Sequence, residues 1–145
     1  MPTFLKSIFV EAPVEAVFGF HEREDALRIL SPRFPRLRII RRTGGIKTGS
    51  KVELKIGPFL WTALHTAYEK NRLFVDEQIQ GPFAKWVHRH EFESVGQTTR
   101  LTDRVEYRLP GGAWMNSLFG WAVQLGLRQM FRQRHQITKR CCEEN

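Results

Sequence analysis

The sequence predicts an α+β domain built from one strand, two short helices, a six-strand antiparallel meander and a long closing helix. Three observations carry this. Between Leu37 and Leu109, short alternating runs are separated by Gly, Pro and Asn. From Ala113 to Arg140, a proline-free segment follows Pro110-Gly111-Gly112. No repeat, low-complexity tract or Ser/Gly-rich linker divides the 145 residues, so residues 1–145 read as one domain around one core.

Thr3–Glu11 places Phe4, Ile8 and Val10 among polar neighbours and reads as a first strand of imperfect alternation. Ala12-Pro13-Val14-Glu15-Ala16-Val17-Phe18 then opens a helix. Proline there takes a first helical position, where its missing N–H costs nothing, and Glu15 lies near the positive end of the dipole. Glu24–Leu30 is a second short helix, halted by Ser31-Pro32 and then Pro35. The meander follows as Leu37–Arg42, Ser50–Ile56, Leu60–Lys70, Leu73–Gln80, Ala84–Ser94 and Arg100–Leu109, punctuated by Gly44-Gly45, Gly57-Pro58, Asn71, Gly81-Pro82 and Gly96-Gln97. The closing helix is apolar on most sides from Trp114 to Phe131, while Arg128, Arg132, Arg134, Lys139 and Arg140 fill its last third. Such a helix lies across something hydrophobic, with its cations at the negative end of its dipole.

Composition sets bounds on function. With 41% hydrophobic and 26% charged residues the chain can bury an ordinary core. No stretch approaches the roughly 18 to 20 apolar residues of a membrane-spanning helix, and the start has too short an apolar run for a secretory signal, so a cytosolic location is expected. Cys141 and Cys142 are adjacent near the chain end, which excludes a disulfide scaffold and a paired-cysteine metal knuckle and marks them as a frayed terminus. The net charge of +8 permits attraction to nucleic acid, anionic lipid or an acidic partner. Arg33, Arg36, Arg38, Arg41 and Arg42 form one basic cluster and Arg128–Arg140 a second. Nucleic acid is not expected, because the nearby aromatics belong to the core; a weak contact with an anionic membrane fits better.

The chemistry concentrates in two runs joined by a short glycine-containing turn, which form a hairpin. On Lys85–Glu93, Trp86, His88, His90 and Phe92 share one face; on Leu101–Leu109, Leu101, Asp103, Val105, Tyr107 and Leu109 share one face. The opposite faces are charged and belong in water. A turn centred on Gly96-Gln97 sets His90 nearly opposite Asp103 and His88 nearly opposite Val105, with Tyr107 beyond.

Three readings of this polar cluster stand open. It is a satisfied buried pair that fixes register; or the few placed polar groups of a mostly apolar pocket; or His88-x-His90 with one carboxylate forms a facial metal triad. The short motif and the absence of a further histidine clearly on that wall weigh against the last, so no metal is expected; His65 joins only if its strand points the same way. No nucleophile elbow, phosphate loop or Ser/Cys-centred triad is present. Trp61 and Trp86 fall on strands, while Trp114 and Trp121 are seven apart on the helix. Trp121 is assigned to the core, and Trp86 and Trp114 to a pocket or its entrance. Phe59, Leu60 and Trp61 read as a buried strand start, with a mobile apolar lip as the alternative.

The element order resembles the helix-grip fold of the START and Bet v 1 superfamily, the SRPBCC group of polyketide cyclases and lipid-transfer proteins. More specifically, Phe74-Val75-Asp76-Glu77-Gln78, Gly81-Pro82-Phe83, Trp86, His88, His90, Phe92, Thr99, Leu101, Asp103, Val105, Tyr107 and Pro110-Gly111-Gly112 resemble a bacterial branch of stand-alone SRPBCC proteins also found fused to epimerase-like domains. The resemblance implies a curved sheet wrapped around the long helix, an interior cavity for an apolar or amphipathic ligand, and no obligatory cofactor. Trp86, His88, His90, Phe92, Asp103, Tyr107 and Trp114 are the expected ligand contacts. The alternative is a cyclase or dehydratase with His90 and Asp103 as its acid–base pair. A third option is an interaction module, with a tightly packed interior and an apolar patch outside.

Overall fold

A computed structural model describes residues 2–31 and 36–144. The elements run β1 Thr3–Val10, α1 Val14–Glu22, α2 Ala26–Leu30, β2 Leu37–Thr43, β3 Lys51–Ile56, β4 Phe59–Glu69, β5 Leu73–Gln80, β6 Lys85–Val95, β7 Thr98–Arg108 and α3 Ala113–Glu143. The seven strands form one antiparallel sheet in the order β1-β7-β6-β5-β4-β3-β2. Consecutive strands β2 to β7 are neighbours, as a meander requires. The chain leaves β1 at one edge and, through α1 and α2, re-enters at the other.

Small departures from the expected boundaries have local causes. Pro13 is the residue before the first helical position: its φ of −67° and ψ of 155° are extended, and its carbonyl accepts from Ala16 and Val17 N–H at 3.0 and 3.2 Å. The ring's missing donor is harmless there too. The second helix begins at Ala26 rather than Glu24, because Arg23 and Asp25 are tied across a turn at 2.7 Å. Pro32 and Pro35, expected to stop it, and Arg33 of the basic cluster lie outside the described residues. Cys141 and Cys142 do not lie in a frayed terminus, since α3 runs through both to Glu143. Glu143 accepts the Glu11 N–H at 2.8 Å and pairs with Lys139 at 2.9 Å, and Cys142 packs on the core, where burial raises its thiol to about 11.

Two turns show why particular residues sit where they do. Gly96 has φ 62° at the first central position of the two-residue β6–β7 turn, as the II′ hairpin class demands. Asn71 has φ 63° between β4 and β5, a conformation asparagine tolerates better than most side chains.

Alternation on β6 and β7 is strict: Trp86, His88, His90 and Phe92 are buried, as are Leu101, Asp103, Val105 and Tyr107. Two apolar clusters flank the polar ones. Val10, Val17, Phe18, Phe74, Phe92 and Leu101 pack at one end, and Phe4, Trp86, Val105, Tyr107, Leu127 and Phe131 at the other. On α3, Leu127, Phe131, His135 and Thr138 are buried, a spacing of four, four and three that lays one helical face on the sheet.

The first half of α3 departs from expectation. Trp114, Leu118, Phe119, Trp121 and Leu125 are all about half exposed or more. Trp121 is therefore not core. The helix is about 46 Å long at 1.5 Å per residue, and the buried face of large side chains starts only at Leu127. Phe59 and Leu60 are likewise exposed rather than a buried strand start, while Trp61 turns inward against Trp86 at 5.1 Å between ring centroids.

Candidate functional site

Between the inner face of the sheet, α2 and α3 lies a cavity of about 670 Å³. Leu30, Leu54, Trp61, Ala63, Trp86 and Leu127 are among its apolar walls. Its polar lining is His21, His65, Asp76, His88 and His90, with Arg42 from β2 and Gln129, Gln133 and Arg134 from α3. All five histidines of the chain are buried, and four of them line this one space.

The strand register puts His90 opposite Asp103 and His88 opposite Val105, the pairing that the turn implied. The hydrogen bonds run differently. Asp103 accepts from His88 Nε2–H at 2.7 Å and from His135 Nε2–H at 2.6 Å. His90 donates from Nε2 to Asp76 Oδ2 at 3.0 Å, and its Nδ1 lies 3.2 Å from Asp103 Oδ1. His88 and His90 overlap with centroids 3.7 Å apart, and Phe74 stacks on the outer face of His90 at 3.9 Å. Each ring thus has one nitrogen on Asp103 and the other turned toward Asp76.

These contacts set the protonation states. Burial opposes charge on His90, but hydrogen bonds to Asp103 and Asp76 outweigh it and raise its pKa. Burial lowers His88, and the neighbouring His90 adds to this. For the carboxylates burial favours the neutral acid, yet the surrounding imidazoles win: Asp103 is held well below the usual range and Asp76 falls to about 2. His21 is lowered to about 4 by burial, and its Nδ1–H donates to the Val17 carbonyl at 2.8 Å. Arg134 is depressed by burial as well, and its Nε is enclosed without a hydrogen-bond partner, as is that of Arg42.

The expected contacts divide. Trp86, His88 and His90 line the cavity. Asp103 stands behind the two imidazoles, fully enclosed, and acts on the cavity only through them. Phe92 belongs to the core against Phe18 at 5.0 Å. Tyr107 is 1% exposed and its hydroxyl is held by Gln124 Nε2 at 2.9 Å. Trp114 is 63% exposed on the outer half of α3 and is not a cavity residue. Phe92 and Tyr107 lie off the cavity for one reason: alternation tells inside from outside but does not tell packed interior from void; Trp114 lies off it because its face of α3 is exposed.

Sequence reasoning missed other members. His65 does point to the same wall, its Nδ1–H bound to the Ser50 carbonyl at 3.2 Å. Asp76, His135 and Arg134 come from β5 and α3. For His135 a signal existed, since it continues the spacing of Leu127 and Phe131 on one helical face.

Comparisons with known proteins agree with this architecture. Residues 10–135 match the family model described as polyketide cyclase / dehydrase and lipid transport. A search of curated proteins finds no match. Among solved structures, the Zhui aromatase/cyclase of a Streptomyces species superposes with a TM-score of 0.74 at 9% identity, over 98% of this chain and 93% of that one. A START superfamily protein from Mycobacterium smegmatis gives 0.68 at 17% identity, over 98% and 97%. A nucleoside-diphosphate sugar epimerase from Corynebacterium glutamicum gives 0.73 at 24% identity, over 94% of this chain but 28% of that one. The chain belongs to the polyketide cyclase / dehydrase and lipid transport family, and its seven-strand sheet with a long C-terminal helix is the helix-grip fold.

Proposed function

We propose that this protein binds, and carries, a small amphipathic molecule in the cavity between the sheet and α3. One observation carries the reading: a largely apolar void of about 670 Å³, within the range of small-molecule sites, has Asp76, His88 and His90 side by side on the sheet wall. A ligand whose apolar body lies against Leu30, Leu54 and Trp61 meets His88, His90 and Asp76 with its polar end. Arg134 and Arg42 also line this space, and two guanidinium groups beside it favour a head group rich in acceptor oxygens. A void of this size weighs against a tightly packed interaction module.

The outer half of α3 supplies a docking face. Trp114, Leu118, Trp121 and Leu125 follow heptad spacing, and Arg128 and Arg132 continue the same line. An apolar stripe ending in cations fits the surface of an anionic bilayer, where a carrier exchanges cargo.

A second reading has one observation of its own. His90 lines the cavity between two carboxylates, the placement of an acid–base group, so a cyclase or dehydratase is the alternative. His90→Gln separates the two: a carrier loses affinity, whereas an enzyme loses turnover while still binding. Native mass spectrometry of protein from its own host, followed by organic extraction, tests the main reading. A stoichiometric apolar molecule is the expected result. An empty protein that gains no thermal stability from a library of lipids and aromatics contradicts it.

A further inference from the structure

The polar wall holds a geometry that ligand binding alone does not require. Asp76, His88 and His90 bring one donor atom each to within 4.8 Å of one another. Asp76 Oδ2 lies 3.0 Å from His90 Nε2 and 3.9 Å from His88 Nδ1. A first-row metal ion with ligands at about 2.1 Å holds its donors about 3.0 to 3.4 Å apart, so one contact already fits and the other closes with a small side-chain movement. His88 and His90 are buried and lie on alternate positions of a central strand, which fixes their directions; Asp76 is presented by the neighbouring strand, directly paired with His88.

The surroundings match what a metal demands of its ligands. A ligating imidazole is normally held by a carboxylate on its other nitrogen, which fixes tautomer and ring orientation. Here one carboxylate does this for both rings: Asp103 Oδ1 is 2.7 Å from His88 Nε2 and 3.2 Å from His90 Nδ1. Asp103 is itself anchored from α3 by His135 at 2.6 Å. The nitrogens left over, His88 Nδ1 and His90 Nε2, are the two that face Asp76. Two carboxylates also bring negative charge into a low-dielectric interior, and a divalent ion bound by neutral imidazoles adds to the countercharge of the buried Arg134. All three donor residues line the cavity, so the remaining coordination positions open onto the space where a ligand sits.

We propose that Asp76, His88 and His90 form a two-histidine, one-carboxylate site for a divalent first-row transition metal, with Asp103 as the positioning carboxylate behind both imidazoles. This departs from the expectation drawn from the sequence, where only Asp103 was paired with the histidines and no metal was expected. The site stands independently of the carrier reading, since a metal binds there whether or not an amphiphile fills the cavity.

The test uses the untagged full chain with Cys141→Ser and Cys142→Ser, which removes the adjacent thiols as competing ligands. After chelator treatment and dialysis, the metal-free protein is titrated with Co²⁺. Visible ligand-field absorption reports coordination, and metal analysis after gel filtration gives stoichiometry. One Co²⁺ per chain is expected, displaced by Zn²⁺, with affinity lowered at least about 100-fold in Asp76→Asn and in His88→Gln. Far-ultraviolet circular dichroism checks that each metal-free variant is folded. Natively folded parent protein that retains no Co²⁺ overturns the proposal whatever the variants do. So does retention of Co²⁺ with unchanged affinity in a folded Asp76→Asn or His88→Gln variant, which would mean adventitious surface binding.

Discussion

Asp103 accepts hydrogen bonds from two imidazoles on different elements, one from β6 and one from α3, and is 4% exposed. Asp103→Asn keeps the shape but removes the charge and sets an amide N–H against an imidazole N–H. Removing a buried charged acceptor from two hydrogen bonds in this way costs about 1.5 to 3 kcal/mol or more, and urea unfolding should show a loss of that size. A loss below about 1 kcal/mol would mean that Asp103 does not hold α3 to the sheet. His21 makes a second prediction. With its pKa lowered from 6.5 to about 4, the folded chain binds fewer protons than the unfolded chain between those values. Its contribution is complete above pH 6.5 and is lost as pH falls to 4, about 3 kcal/mol in all. His65 and His88, also lowered, act in the same direction, whereas His90, raised, acts in the opposite one. Melting temperature should therefore fall between pH 6.5 and 4, and His21→Phe should flatten part of that fall; an equally steep fall in the variant would contradict the assignment. At this scale the sequence was partly legible. Alternation and the Gly96-Gln97 turn put His90 opposite Asp103, and the register agrees. Facing positions do not decide all the bonding, however: beside the facing His90 at 3.2 Å, Asp103 takes the diagonal His88 at 2.7 Å, and His90 also reaches across to Asp76. On β5, Phe74 and Val75 are both buried, so alternation there does not reveal which way Asp76 points.

Among the elements, α3 shows most plainly where pattern reading stops. Its extent was legible from the lack of proline and the preceding Pro110-Gly111-Gly112, yet its apolar residues outnumber what one buried face can take. The sheet receives the face of Leu127, Phe131, His135 and Thr138, and the line from Trp114 to Leu125 stays outside. Hydropathy cannot separate those two outcomes, because both stripes are apolar at helical spacing. For the exposed stripe the expected property is membrane attachment. Vesicles of phosphatidylcholine with phosphatidylglycerol should sediment the protein, pure phosphatidylcholine should do so weakly, and salt should reduce the difference. Trp114→Ser with Trp121→Ser should weaken attachment at least about tenfold without lowering stability, since neither ring is buried. Equal sedimentation of the double variant would exclude this face.

For the whole molecule, the alternating runs and short turns determined a meander, and the strand order follows from it with one addition: β1 pairs with β7. The early strand's partner was not legible from local pattern, as it depends on a contact about a hundred residues away in sequence, such as Phe4 opposite Val105. The cavity was expected from the family resemblance, but periodicity gave neither its volume nor its full lining. It lies between the sheet, α2 and the stretch of α3 from Val123 to Arg134, a consequence of summed side-chain volumes that periodicity does not report. The central claim is that this void is a binding site. Ala63 lines it from β4 and is 7% exposed, so Ala63→Phe places a ring into the space without removing any polar group. Calorimetric titration of wild type and Ala63→Phe with the amphiphile extracted from the native protein is the direct measurement. Stoichiometric binding by wild type and none by an equally stable variant is the predicted result, and equal affinity in both proteins would contradict it.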